Sequence, residues 1–352
     1  MKRLFLSFVL LSWSAAFVTA ELPTWESLVD KARWAQNAHN VQSWKLETMP
    51  GRPDTRRLVL ESTRLLPQTD APQRQLTVSL GCFLAVLEDA AARQGARVTW
   101  QPLTDAPGAL VTLSEDPAPS TPAPNLDALA APTVKYRTAA FSLPTPVLRD
   151  LEERYSTPTV RFHWITEPAA VAAAKAWARG AFDAEMDLPR TRDESVAYTR
   201  IGETARRLTP WGITLLPSFP KGELFWVEAF EGLFPESPGA YARDSEAMLG
   251  RALGPVEQIL VVTSRGNGNL ERLRTGEALQ RVWMRVIDRG GRLLPLSQGL
   301  EEFPEMTPWF AEAARRWAPD GENVQMVLAL FKPGPGEFLR SPRLPAASVI
   351  SQ

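Results

Sequence analysis

One cysteine and two histidines in 352 residues set the first limits. With Cys82 alone, no disulfide can close within the chain, so stability must come from an apolar core. His39 and His163 beside that cysteine are poor material for a zinc site, and no HExxH, CxxC or GxSxG pattern occurs. A surplus of one charge is also missing: 39 Lys+Arg stand against 40 Asp+Glu, which argues against a nucleic-acid or anionic-membrane surface. After the first 20 residues, no segment is uniformly apolar over the roughly 20 positions that a membrane span needs.

The N-terminus reads as a secretory signal. Lys2 and Arg3 precede an apolar run over Leu4–Phe17, and Val18-Thr19-Ala20 offers small residues for cleavage before Glu21. There is no twin-arginine pair and no cysteine for lipid attachment in this run. The mature chain is therefore expected to be exported unfolded, to the periplasm of a Gram-negative host, and to acquire any cofactor after translocation.

Twelve Trp and fifteen Phe can build a core, and the periodicity places its elements. Thr24 caps a helix over Trp25–Asn37; Gln42–Thr48 and Arg57–Ser62 alternate as strands. Leu76, Leu80, Phe83, Leu84, Leu87 and Ala91 form one stripe of a long helix stopped at Gly95, before strands at Arg97–Gln101 and Ala109–Leu113. Asp116–Pro132 alternates Pro and Ala and reads as an extended linker, so residues 21–115 form a first half, 116–134 the connection and 135–352 a second half. In that half, helices are expected at Pro146–Tyr155, Ala169–Glu185, Arg192–Thr209, Leu270–Arg289 and Pro304–Trp317. Strands are expected at Val160–Thr166, Ile259–Thr263 and Val324–Phe331, and an extended tail from Pro333. The aromatic-rich Pro210–Pro238 looks irregular, and residues 208–234 read as a lid carrying Trp211 and Trp226. The interval Gly81 to Gly95 equals Gly276 to Gly290, with Leu84/Leu279, Leu87/Val282 and Ala91/Val286 at matching offsets. Either two amphipathic helices merely share a glycine stop, or the chain is a duplication packed through its long helices. Arg265–Asn269 superficially suggests a dinucleotide loop, but Glu271 stands where the third glycine belongs, and Asn269 reads as an N-cap.

The densest polar stretch is Arg33–Leu46, RWAQNAHNVQSWKL, with His39, Asn40 and Gln42 between Trp34 and Trp44. Carboxamides donate and accept, so Asn40 and Gln42 suit the edge of a planar heterocycle. Equally, the stretch is a polar turn into a strand with both tryptophans in the core. Ala35, His39, Asn40, Gln42 and Trp44 match the APSxHNxQPW signature of the nitroreductase-like flavoproteins, and the stretch resembles their single-chain Acg-type family in particular. Gln36, Asn37 and Ser43 replace that signature's Pro, Ser and Pro.

The resemblance implies an α+β nitroreductase-like fold, two similar α/β halves fused as a pseudo-dimer around long central helices, hence a natural monomer. It implies FMN as cofactor, a reduced nicotinamide as one candidate donor, and a flat nitroaromatic or quinone-like acceptor. His39, Asn40 and Gln42 would hold the ring, Trp44 and Trp211 would stack or cover it, and Lys135, Arg137, Arg340 and Arg343 would neutralise the phosphate. The tail Arg340–Leu344 is similar to the family's closing SPRRPL with Leu344 for its second Arg, and Lys135–Phe141 is similar to RTxRxxF with Thr138 for an Arg. NVQMVLALF is similar to PQxLLRxGY, keeping Gln325 but placing Ala329 at the Arg. Each departure removes a phosphate-binding charge, which keeps a second reading alongside the first: a non-catalytic flavin- or ligand-binding protein on the same fold.

Overall fold

The structure is a computed structural model that describes residues 22–116, 126–233, 237–318 and 320–351. The stretch read as a signal and residues 117–125 of the Pro/Ala connection lie outside them. The first half runs α1 (Trp25–Ala32), β1 (Trp44–Thr48), β2 (Thr55–Leu60), α2 (Arg74–Ala92), β3 (Ala96–Pro102) and β4 (Gly108–Glu115). Thr24 caps α1 by accepting from the Ser27 N–H at 3.2 Å. The helix stops at Ala32, five residues before the expected Asn37, because the chain turns there to enter the polar stretch.

After the connection come β5 (Thr138–Ala139), α3 (Thr145–Tyr155), β6 (Val160–Ile165), α4 (Pro168–Asp187), α5 (Pro189–Ala197), β7 (Thr199–Arg200), α6 (Gly202–Leu208), β8 (Ile213–Thr214), α7 (Lys221–Leu233) and α8 (Pro238–Leu253). The chain then forms β9 (Gln258–Ser264), α9 (Asn269–Asp288), β10 (Arg292–Pro295), α10 (Thr307–Trp317) and β11 (Asn323–Pro333).

The two principal sheets share one plan. The first has the order β1-β2-β4-β3 and the second β6-β9-β11-β10, and every neighbouring pair in both is antiparallel. In each, two strands precede a long helix and two follow it. The second sheet differs by an insertion, α4 to α8, between β6 and β9. The fold is α+β.

The long helices α2 and α9 meet where their glycines stand. A Cβ on Gly81 would sit 2.1 Å from the Leu273 carbonyl oxygen and 2.9 Å from the Gly276 Cα. One on Gly276 would sit 1.9 Å from the Val78 carbonyl oxygen and 2.8 Å from the Gly81 Cα. The backbones therefore touch at two positions that are equivalent in the sequence echo, as a two-fold contact requires. Each helix also ends on its matching glycine in the left-handed region, Gly95 at φ 71° and Gly290 at φ 84°, which spares a Cβ its clash there. By length and composition α2 is the one described helix apolar enough to cross a membrane, and it is instead almost wholly buried in the core.

Two further ties join the halves. Arg74, buried at the start of α2, donates to the carbonyls of Gln325 (2.6 Å) and Leu300 (2.7 Å) and lies 3.0 Å from Glu302. The tail returns to the edge of β1: Leu46 donates to the Val349 carbonyl at 2.8 Å, and Ser351 donates to Leu46 at 2.9 Å.

Several expectations need correcting. The helix expected over Arg192–Thr209 is broken, because Ile201 is extended and Gly202 is left-handed at φ 79°, and β7 pairs with β8. The segment expected to be irregular holds α7, whose Phe225, Trp226 and Phe230 are exposed; its aromatics do not form the apolar stripe by which helices are read. Within the connection, Leu126–Ala130 forms a 3-10 turn with Ala128 and Leu129 buried in the first core, where extended chain was expected. Asn269 is the first residue of α9 rather than its cap; its amide donates to Leu103 and Gly108 and accepts from the Gly108 N–H.

Gly276→Ala should lower stability by about 3 kcal/mol, since the added methyl overlaps helix backbone rather than a movable side chain. A urea midpoint equal to that of the parent chain would show that α2 and α9 do not depend on this contact.

Candidate functional site

Residues 33–43 fold into an unusual turn. His39 (φ 47°), Asn40 (φ 53°) and Gln42 (φ 52°) all lie in the left-handed region, which asparagine tolerates and the other two adopt at a cost. Their surroundings impose it. The Gln42 N–H donates to the Asn37 side chain (3.0 Å), Gly212 donates to the Asn40 carbonyl (2.8 Å), Ala38 donates to Ser79 on α2 (3.1 Å), and Gln36 donates to Gln280 on α9 (2.9 Å). The turn is thus pinned to both central helices.

Beside it opens a cavity of about 240 Å³ along the α2–α9 seam, where Val78, Cys82, Leu279 and Trp283 form part of its wall. His39, Asn40, Lys135, Arg340 and Arg343, all expected at a site, line it together. The Arg340 guanidinium lies 3.3 Å from the Trp34 ring centroid, with Arg33 at 5.1 Å and Arg343 at 5.5 Å. Arg343 is held by the Arg33 carbonyl (3.1 Å) and the Asn40 side-chain oxygen. Among the described residues, Arg340, Arg343 and Lys135 make no ion pair; Arg33 pairs with Asp30 at 2.8 Å.

The electrostatics follow from that imbalance. Burial, then Arg340 and Arg33, push Arg343 down to about 9. Burial lowers Lys135. Burial and then Lys135 lower His39 to about 4, so its imidazole is neutral near pH 7, with Nδ1 buried and unpartnered. Cations kept together without carboxylates favour the binding of an anion.

Four expected residues are elsewhere. Gln42 does not line the cavity: its amide donates to the Pro210 carbonyl (2.9 Å) and accepts from the Leu344 N–H (2.8 Å), so it clamps the tail. Asn40, although at the wall, likewise spends its amide on the Gly212 carbonyl (3.0 Å), so neither side chain is left to read a ring edge. Trp44 is fully buried against Phe83 in the core, since it is the inward-facing residue that opens β1. Arg137 is exposed and paired with Glu223, on the irregular segment just before β5 and one position from Thr138, where the resemblance expects the charge. Trp211 packs on Tyr198 and Arg200 outside the cavity.

Sequence reasoning missed three groups. Trp34, taken for core, is the platform for the arginines. Arg33 contributes a third guanidinium. Glu185 and Glu301, both buried, also line the cavity. The signal for Glu185 was a carboxylate within the apolar stripe of α4, between Phe182 and Met186.

No family model matches this chain, and no curated protein sequence matches it. Among solved structures it is similar to the FMN and NADPH-dependent nitroreductase NfnB from Sphigopyxis sp. strain HMH, at 16% identity and a TM-score of 0.40, over 64% of this chain and 97% of that one. Two mutants of NfnB give TM-scores of 0.41 and 0.38 at 15% and 17% identity over the same shares.

Gln42→Ala should cost about 2 kcal/mol and loosen the tail, since it leaves a buried N–H and a carbonyl unpaired. Unchanged proteolytic resistance of residues 340–351 would contradict the clamp. His39 supplies a pH dependence. Its folded pKa lies below the ordinary 6.5, so between about 6.5 and about 4 the unfolded chain takes up the proton first, and stability falls as pH drops through that window. His39→Gln should flatten this part of the stability profile, and an unaltered slope would assign the effect to other groups.

Proposed function

We propose that this chain is an exported FMN-dependent oxidoreductase of the nitroreductase type, with a sequence that resembles the single-chain Acg-type family. The observation that carries it is the set of Arg340, Arg343 and Lys135, none with a carboxylate partner among the described residues, lining a cavity on the helix seam, with Arg340 and Arg343 over Trp34 beside Arg33. A phosphate carries up to two negative charges and suits paired guanidinium forks. Arg340 and Arg343 would hold it, while Lys135 would balance negative charge elsewhere on the cofactor. His39, neutral with an unpartnered ring nitrogen, would offer a hydrogen-bonding group to the cavity. FMN, when bound, supplies two-electron chemistry between a reduced nicotinamide donor and a flat nitroaromatic or quinone-like acceptor. The residues of this chain bind, orient and exclude water. The two sheet halves serve as the two subunits of a pseudo-dimer, so a monomer is the working unit.

A second reading rests on a specific observation. Thr138 donates to the Ala252 carbonyl and Ala329 is buried in β11, so two positions where the family carries arginine bring no charge to the cavity, and the neighbouring Arg137 is committed to Glu223. That favours a protein that binds a flavin or another flat ligand without turnover.

Titration of the mature chain with FMN, followed by absorbance and fluorescence and then by a chemical reductant, separates the two. Saturable quenching at one equivalent with reversible bleaching, and turnover with a nicotinamide donor, is expected; binding without turnover selects the second reading. Arg340→Ala combined with Lys135→Ala should weaken FMN binding at least about tenfold. Equal affinity in that variant would remove the phosphate from this cluster.

A further inference from the structure

The same cavity has an acidic part that the flavin reading does not use. Glu185 on α4 and Glu301, which follows the 3-10 turn Gln298–Leu300, both line it, with relative exposures of 1% and 4%. One oxygen of each, Glu185 Oε2 and Glu301 Oε2, is buried without a hydrogen-bond partner. Neither carboxyl makes an ion pair among the described residues. Arg74, the cation that acts on Glu301, directs its guanidinium to Glu302 at 3.0 Å and to the carbonyls of Gln325 and Leu300. Two buried carboxyl groups without a cation form a costly arrangement that an opposite charge would relieve.

We infer that this part of the cavity is a subsite for an organic cation, an ammonium or amidinium group carried on an aromatic ring, held between Glu185 and Glu301. Tyr136, Tyr241 and Phe182 supply the aromatic wall that such a ligand packs against. A metal ion fits less well, because no group of three His, Cys, Asp or Glu that could hold one assembles among the described residues. No ion pair joins these carboxyls to Arg340, Arg343 or Lys135 among the described residues, although all line the same cavity. The inference rests on the proposed function only in taking this cavity as the ligand site.

Proton exchange gives a signature of its own. Burial, then Glu194, push Glu185 up to about 8, and burial with Glu185 and Asp70 raises Glu301. Burial thus favours the neutral form of both carboxyls, which face Glu194, Asp70, Arg74, Tyr136 and Tyr241. When an alkylammonium enters, a carboxyl group gives its proton to solvent and keeps the carboxylate as the partner of the cation: one O–H bond breaks and nothing is oxidised or reduced.

The test compares benzylamine with its neutral counterpart benzyl alcohol on the purified mature chain, with and without FMN, by calorimetry in two buffers of different ionisation enthalpy. Benzylamine should bind at least about tenfold more tightly and release protons at pH 7, and the preference should vanish in Glu185→Gln and in Glu301→Gln while FMN affinity stays unchanged. Equal binding of both probes, binding of neither, or a preference that survives both substitutions would overturn the inference. The comparison of probes on the unsubstituted chain decides the matter even if a glutamine variant fails to fold. FMN binding without an amine preference refutes the subsite alone; an amine preference without FMN binding refutes the flavin reading alone.

Discussion

The backbone contact between Gly81 and Gly276 is the constraint from which the rest of the arrangement follows. Two helices meet at side-chain distance unless both lack a Cβ at the crossing. Here both do, and the helices close until Cα approaches Cα. That approach brings Ser79 and Gln280, one from each helix, to the two backbone N–H groups of Ala38 and Gln36. The left-handed turn at residues 39–42 is thus held by the crossing and not by its own preferences. The cavity runs along the same seam, so its walls derive from both halves.

Charge is distributed in that cavity in a way that folding alone does not favour. Arg340, Arg343 and Lys135 line it without an ion pair, and so do Glu185 and Glu301, among the described residues. A protein selected only for stability would cross-pair them or replace them with apolar groups of similar volume. The price of keeping them apart is visible in the displaced pKa values of His39, Arg343 and Glu185. Unrelieved electrostatic cost concentrated around a cavity is the physical sign of a place that works when filled.

How far this was legible in the residues depended on whether local pattern or distant contact decided each one. The glycine echo left a shared helix stop and a duplication both open, and the structure seats those two glycines on each other. The β-type alternation of residues 42–48 and 57–62 was sound to within two residues, because half-buried strands carry their periodicity with them. The polar stretch was rightly singled out, yet the duties within it were not readable. A carboxamide that clamps a tail looks the same as one that reads a ligand, and Gln42 is committed by Leu344, some 300 positions away. Trp34 and Trp44 could not be separated either: Trp44 packs on Phe83 of α2, whereas Trp34 meets Arg340 and Arg343 of the tail, and both contacts are remote in sequence. α7 escaped because its aromatic residues face outward.

The cation cluster joins positions that are remote along the chain: Arg33 to Leu344 is a separation of 311 residues, and Asn40 to Arg343 one of 303. Few contacts in a protein of this size are less local, and loops of such length close late in folding. A cluster assembled from residues 33–40 and 340–343 is complete only where the tail lies against the first half. A ligand that bound it would therefore stabilise the docked tail in particular, because it would bind only the state in which the two ends of the chain are joined.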